Sequence, residues 1–119
     1  MNNHIPSASA EEAKKLWESD TVFIDVRERE ENEQARIPQS TLLPLSEINQ
    51  RFEEIPKDRQ VVMYCRTGNR SGYLIEILQA NGYNNLINLD GGIVAWYEQN
   101  YPVQSGPAEN PVDVAVSGR

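Results

Sequence analysis

Short apolar runs alternate with helical apolar stripes along this chain. Ser9-Ala10-Glu11-Glu12 reads as a capping box, and Ala13, Leu16 and Trp17 then give one apolar helical face. Thr21-Val22-Phe23-Ile24-Asp25-Val26 is short and rich in β-branched residues, which predicts a buried strand. Arg27 to Arg36 reads as a polar, charge-rich loop closed by Ile37-Pro38. Thr41-Leu42-Leu43 predicts a short strand before Pro44. Ser46 is expected to cap a helix whose Ile48, Phe52 and Ile55 fall at i, i+4 and i+7, with Pro56-Lys57-Asp58 breaking it. Gln60 to Tyr64 is the next strand. Leu74, Ile77 and Leu78 then form another helical stripe, terminated by Asn81-Gly82. Asn85-Leu86-Ile87-Asn88-Leu89 is a strand, Asp90-Gly91-Gly92 a tight turn, and Ile93 to Gln99 a short last helix. Strands alternating with helices predict an α/β domain with a mostly parallel sheet.

From Pro102 onward Ser105-Gly106-Pro107, Asn110-Pro111 and Ser117-Gly118 read as an extended tail. Val112-Asp113-Val114-Ala115-Val116 has the pattern of a segment that packs locally. The expected division is a domain over 1–102 and a tail over 103–119. No internal repeat and no long low-complexity tract interrupts it.

Composition changes this picture by exclusion. A length of 119 residues fits one domain, and 39% hydrophobic with 24% charged residues suits a soluble globule. A net charge of -7 argues against general attraction to nucleic acid. No apolar run approaches the roughly 20 residues that a membrane helix needs. Met1-Asn2-Asn3-His4-Ile5-Pro6 lacks the basic and apolar regions of a secretory signal. The single cysteine forms no internal disulfide, and a reducing cytoplasm is the expected home. No cofactor or metal is called for, and a monomer is expected.

The candidate chemistry sits in Val61-Val62-Met63-Tyr64-Cys65-Arg66-Thr67-Gly68-Asn69-Arg70-Ser71-Gly72. An apolar strand ends at the only cysteine, and a short loop with two arginines leads into a helix. Ligands of open α/β sheets collect beyond the carboxyl ends of strands. If the loop curls around the sulfur, its N–H groups form a nest for an anion, and the thiolate is an anion. Gly68 permits the backbone such a curl needs. Arg66 and Arg70 offer positive charge and forked donors, or else serve the surface. The competing reading is a buried cysteine acting as a small hydrophobe. The only histidine, His4, lies near the N-terminus, which disfavours a Cys–His dyad.

These residues resemble the rhodanese-like sulfurtransferase family. Cys65-Arg66-Thr67-Gly68-Asn69-Arg70-Ser71 is similar to its active-site loop. Asp25-Val26-Arg27-Glu28, Gly82-Tyr83, Asn88-Leu89-Asp90-Gly91-Gly92-Ile93 and Ala95-Trp96 follow in family order, covering approximately Ile5 to Pro102. The resemblance implies a rhodanese-like α/β domain with a five-stranded sheet flanked by helices. It implies that Cys65 is the nucleophile and becomes a persulfide, with thiosulfate a typical donor. Cyanide is then the assay acceptor, and a thiol or protein the biological one. One stretch departs: the family often has Gly-His-Ile-Pro-Gly-Ala where this chain has Ala35-Arg36-Ile37-Pro38-Gln39-Ser40.

On that reading Arg66, Thr67, Gly68, Asn69, Arg70 and Ser71 bind the anionic donor. Asp25 either orients a loop arginine or hydrogen-bonds at a loop start, and Arg27 either pairs with acidic neighbours or makes a surface pair. Trp96 is expected in the core, and Ser71 as a helix cap. Two readings compete with a thiosulfate sulfurtransferase. One is a persulfide carrier or partner-binding module with weak turnover. The other is a cysteine-dependent phosphatase or arsenate reductase, which places five residues between cysteine and arginine, whereas four separate Cys65 from Arg70.

Overall fold

Val61–Tyr64 (β4) is buried along its whole length, as befits a central strand of a parallel sheet covered on both faces. In the computed structural model, which describes residues 5–107, β4 lies third in the order β1-β5-β4-β2-β3. The other strands are Ser7–Ala8 (β1), Val22–Asp25 (β2), Thr41–Leu42 (β3) and Leu86–Leu89 (β5), and every pairing is parallel. The helices are Ala10–Glu18 (α1), Arg29–Gln34 (α2), Ile48–Arg51 (α3), Asn69–Ala80 (α4) and Gly92–Glu98 (α5). None is long and apolar enough to cross a membrane.

Alternation along β4 divides the core. Val61 and Met63 pack with Leu74, Ile75 and Leu78 of α4 on one face. Val62 and Tyr64 pack with Ala13 of α1 and with Ile93 and Trp96 of α5 on the other. Trp96 is a fully buried core residue, edge-on to Trp17, Phe23 and Tyr101. The chain leaves β2 toward β3 and leaves β4 toward β5, in opposite directions along the sheet. The ends of β2 and β4 therefore form the switch point at which such sheets bind ligands. Asp25 pairs with Tyr64 in register, so Val26 and Cys65 leave the sheet side by side and Arg27 follows one residue on.

Several expectations hold. The capping box of α1 forms, with Ser9 Oγ accepting from Glu12 N at 3.1 Å and Glu12 Oε1 from Ser9 N at 2.9 Å. Asn81 and left-handed Gly82 end α4.

Others are corrected. Arg27 to Arg36 is not all loop, because Arg29–Gln34 is helical. Its own capping box, Glu28 with Glu31, starts it, and it buries only Asn32, so no apolar stripe announced it. The helix expected after Ser46 is broken into 3₁₀ turns, Leu45–Glu47 and Phe52–Glu54, around one α turn. Ser46 does not cap it; its hydroxyl donates to Glu28 at 2.7 Å. Phe52 is half-exposed, and its carbonyl is taken by the Tyr83 hydroxyl at 2.9 Å. On α4 it is Ile75, not Ile77, that joins Leu74 and Leu78 in the core. β1 has no apolar run to mark it. It exists because Pro6 and Ala8 carbonyls accept from the N–H groups of Asn88 on β5 and of Asp90 just after it, each at 2.8 Å.

The departing stretch also resolves. Gln39 takes the left-handed conformation, φ 70°, where the family often has glycine. Ser40 Oγ donates to the Ile37 carbonyl at 2.7 Å and lies 2.8 Å from the Tyr64 hydroxyl. Buried Arg36 bridges Gln104 through paired backbone hydrogen bonds and donates to the Gly106 carbonyl at 2.9 Å. The start of the expected tail is thus docked against α2. Val112 to Val116 lie outside the described residues.

Candidate active site

Cys65 follows β4 directly, and the loop turns into α4 through Gly68, which is left-handed at φ 104°. That turn brings backbone donors to the sulfur: Gly68 N lies 3.1 Å and Ser71 N 3.4 Å from Cys65 Sγ. The Ser71 hydroxyl is also 3.4 Å away. The positive end of a twelve-residue helix adds to them. Burial pushes the Cys65 thiol up. The Ser71 hydroxyl, when turned to the sulfur, and the N–H groups of Ser71, Gly68 and Thr67 pull it down, and the net direction is down. The backbone N–H groups aimed at the sulfur favour its charged form, as a small buried hydrophobe would not require.

The loop carbonyls are held elsewhere. Ile93 N donates to the Cys65 carbonyl at 2.9 Å and Val94 N to the Arg66 carbonyl at 3.1 Å. The first turn of α5 therefore takes the acceptors while the loop's own N–H groups face the sulfur. Gly92 makes this approach possible. A Cβ there would overlap the Arg66 carbonyl and lie 2.6 Å from the Cys65 oxygen.

The predicted site residues divide. Gly68 and Ser71 contact the sulfur, and the expected capping role of Ser71 is corrected: Gly68 is the N-cap, and Ser71 is the third residue of α4. Thr67 and Asn69 are exposed at the mouth. Arg66 is exposed and lines a cavity of about 680 Å³ beside the loop, together with Ile93, Val94 and Tyr97. Cys65 is not a wall of that cavity; Arg66, one residue on, is.

Arg70 lies close enough to be raised by the Cys65 charge, but first by its hydrogen bonds to Glu31. Its fork grips both carboxylate oxygens, at 2.9 and 2.8 Å. The same grip holds Glu31 down at about 2, against an ordinary 4.5. A depressed folded-state value stabilises the fold above about pH 4.5, and that contribution fades as pH falls toward about 2. Partial exposure of both side chains limits it to about 1 kcal/mol. Urea unfolding of wild type and Glu31→Gln should thus differ by about 1 kcal/mol at neutral pH and converge at the acid end. An equal gap at both ends would discard the pair as the cause.

Asp25 and Arg27 stand behind the loop. Asp25 is fully buried and accepts from Arg27 N and Nε at 2.9 Å, Arg27 Nη2 at 2.8 Å and Asn32 Nδ2 at 2.9 Å. None of its hydrogen bonds among the described residues reaches Arg66 or Arg70. Arg27 is 5% exposed, which corrects the surface-pair expectation. Its guanidinium lies over the Tyr64 ring at 5.7 Å. Burial, then the Asp25 charge, pushes the Tyr64 phenol above its usual range, so it stays neutral and locks the residue before Cys65.

The sequence placed Asn88 in a strand and Gly92 in a tight turn, and gave neither them nor Glu31 a role at the cysteine. Asn88 carried a signal, a polar residue inside an apolar strand. It donates to the Gly68 carbonyl at 3.1 Å and accepts from Ser71 Oγ at 2.6 Å. Glu31 carried none, because its partner is distant in sequence.

Comparison with known proteins agrees with this geometry. A sulfurtransferase of Allochromatium vinosum is 41% identical over 87% of this chain and 95% of its own length. A rhodanese-related protein of Thermoplasma volcanium superposes with a TM-score of 0.77 at 30% identity, over 83% of this chain and 97% of that one. A thiosulfate sulfurtransferase of Pseudomonas aeruginosa gives 0.79 at 27% identity, over 89% of this chain but 21% of that larger one. The family described as the rhodanese-like domain matches residues 9–99, a span holding the sheet's central strands, the cysteine loop and the helix that supports it. With fold, loop and relatives in agreement, the chain belongs to the rhodanese-like domain family of sulfurtransferases.

Proposed function

We propose that this chain moves sulfane sulfur from thiosulfate, or a related small anionic donor, to cyanide or a thiol acceptor through a persulfide on Cys65. The observation that carries this reading is the ring of N–H donors around one sulfur atom, closed by Gly68 and Ser71. The Cys65 thiolate attacks the outer sulfur of thiosulfate. An S–S bond forms, the donor's S–S bond breaks, and its electron pair leaves with sulfite. The same N–H groups then stabilise the anionic persulfide. The acceptor attacks the terminal sulfur, the new S–S bond breaks, and Cys65 leaves as thiolate. This is covalent catalysis in two displacements. The working unit is one chain in a reducing cytoplasm, and the acceptor is a thiol or a protein.

Arg66 and Arg70 favour an anionic donor in this reading, against the overall negative charge of the chain. Arg70 does so while gripping Glu31. Arg70→Ala should therefore raise KM for thiosulfate about tenfold, part of it because Glu31 is left as a bare carboxylate near the mouth. Adding Glu31→Gln should restore part of the loss. Unaltered donor kinetics in folded Arg70→Ala would remove Arg70 from the site. The four residues between Cys65 and Arg70, one fewer than cysteine-dependent phosphatases place there, speak against phosphate-ester chemistry.

Intact mass under non-reducing conditions tests the proposal. Protein exposed to thiosulfate should gain one sulfur atom, and transfer it to cyanide or a thiol. An unchanged mass together with phosphate-ester turnover would reject sulfur transfer. A persulfide that forms but passes to neither acceptor would favour a dedicated carrier.

A further inference from the structure

Asn88 interrupts the apolar run of β5, and its amide reaches the cysteine loop twice. Nδ2 donates to the Gly68 carbonyl at 3.1 Å, and Oδ1 accepts from Ser71 Oγ at 2.6 Å. The orientation follows from the partners, because a turned amide would set its oxygen against the Gly68 carbonyl, acceptor to acceptor. Gly72 packs directly on the amide: a Cβ there would lie 3.3 Å from Nδ2. Ser71 is therefore the donor to Asn88.

A serine hydroxyl carries one hydrogen. Three acceptors surround Ser71 Oγ: Asn88 Oδ1 at 2.6 Å, Cys65 Sγ at 3.4 Å and the Gly68 carbonyl at 3.4 Å. Ser71 is fully buried, so water does not supply a substitute. The short contact takes the hydrogen. The sulfur then meets the hydroxyl's lone pairs, which accept from a thiol S–H and repel a thiolate.

We propose that Asn88 is a positioning residue that holds the Ser71 hydroxyl hydrogen away from Cys65, leaving the thiolate to rest on backbone N–H groups. A thiolate stabilised less is a stronger nucleophile at the cost of a smaller ionised fraction. Removing Asn88 releases the hydrogen, which turns to the sulfur as a charge-assisted bond. The consequence for sulfur transfer rests on the function proposed above. The acidity of Cys65 does not, and it is read without any sulfur donor.

The test is the pH dependence of iodoacetamide alkylation of the full chain. Four proteins are compared: wild type, Asn88→Ala, Ser71→Ala and the double variant. Asn88→Ala should lower the Cys65 pKa by about one unit, which is about tenfold in thiolate population below it. Its limiting rate at high pH should fall about threefold, since nucleophilicity follows basicity. Ser71→Ala should change the pKa far less, and in its presence Asn88→Ala should no longer lower it. The charged groups around the sulfur stay the same throughout. They are Arg66 in the loop, Arg70 of α4 with Glu31 of α2, and Asp25 at the end of β2 with Arg27 just past it.

A raised or unchanged pKa in Asn88→Ala would overturn the proposal, as would a lowering independent of Ser71. Ser71→Ala removes one oxygen and needs no tolerance at position 88. A rise of about one unit from it alone would place the hydrogen on the sulfur and overturn the proposal too. Failure of the persulfide experiment would leave these alkylation profiles unaffected, so the two readings fail separately.

Discussion

Cys65→Ser is expected to lower sulfur transfer by about 10⁴-fold or more and to leave the mass unchanged after exposure to thiosulfate. The cause is the loss of the ionised nucleophile. A serine hydroxyl stays protonated near neutral pH, and among the described residues no histidine stands by to take its proton. The N–H groups of Gly68 and Ser71, set 3.1 and 3.4 Å from a sulfur, then surround an oxygen that makes no S–S bond. The fold should survive, because the side chains are of similar shape and the N–H groups satisfy either atom. The measurements are intact mass, thiocyanate formation with cyanide, and a urea midpoint as control for folding. Turnover within tenfold of wild type in the serine variant would move the reaction off Cys65.

Gly92→Ala is expected to have the second largest effect, on both stability and chemistry. Gly92 has φ 62°, which costs a residue with a Cβ about 1–2 kcal/mol. The added carbon would also overlap the Arg66 carbonyl, and backbone does not step aside as a side-chain end does. The two peptides on either side of Arg66 must shift, and the bonds from Ile93 N to the Cys65 carbonyl and from Val94 N to the Arg66 carbonyl must stretch. We expect a loss of about 3 kcal/mol in denaturant unfolding. We also expect about a hundredfold loss of sulfur transfer in the folded fraction, since a 1 Å misplacement costs about that much. Gly91→Ala is the control. Its Cβ would press on Ala95 Cβ at 2.7 Å, inside α5, so stability should fall while thiol reactivity stays near wild type. Wild-type reactivity in Gly92→Ala would show that the carbonyl clamp does not shape the cradle.

The parts of the fold that were legible share one property: their signal is local. β2, β4 and β5 announce themselves by short apolar, β-branched runs, and α1 by a capping box whose members lie three residues apart. The parts that were not legible depend on partners far along the chain. β1 is two residues long and is a strand only because β5 offers its edge. α2 buries a single residue, so its helix carries no stripe. The segment after Ser46 has helical spacing, yet Glu28 takes the Ser46 hydroxyl and Tyr83 takes the Phe52 carbonyl, and the helix breaks into turns.

The site divides in the same way. From sequence alone the candidate nucleophile was legible: one cysteine at a strand end, followed by a glycine-bearing loop whose N–H groups follow it within a few residues. Backbone donors of a short loop are covalently near their target, so spacing suffices to place them. The side chains that set the loop's charge and shape were decided only by tertiary structure. Glu31 reaches Arg70 from α2, Asn88 reaches Ser71 from β5, and Gly92 opens a path for α5 to hold the loop carbonyls. Each of these contacts crosses between elements, and its geometry follows from strand order and helix packing rather than from any spacing along the chain.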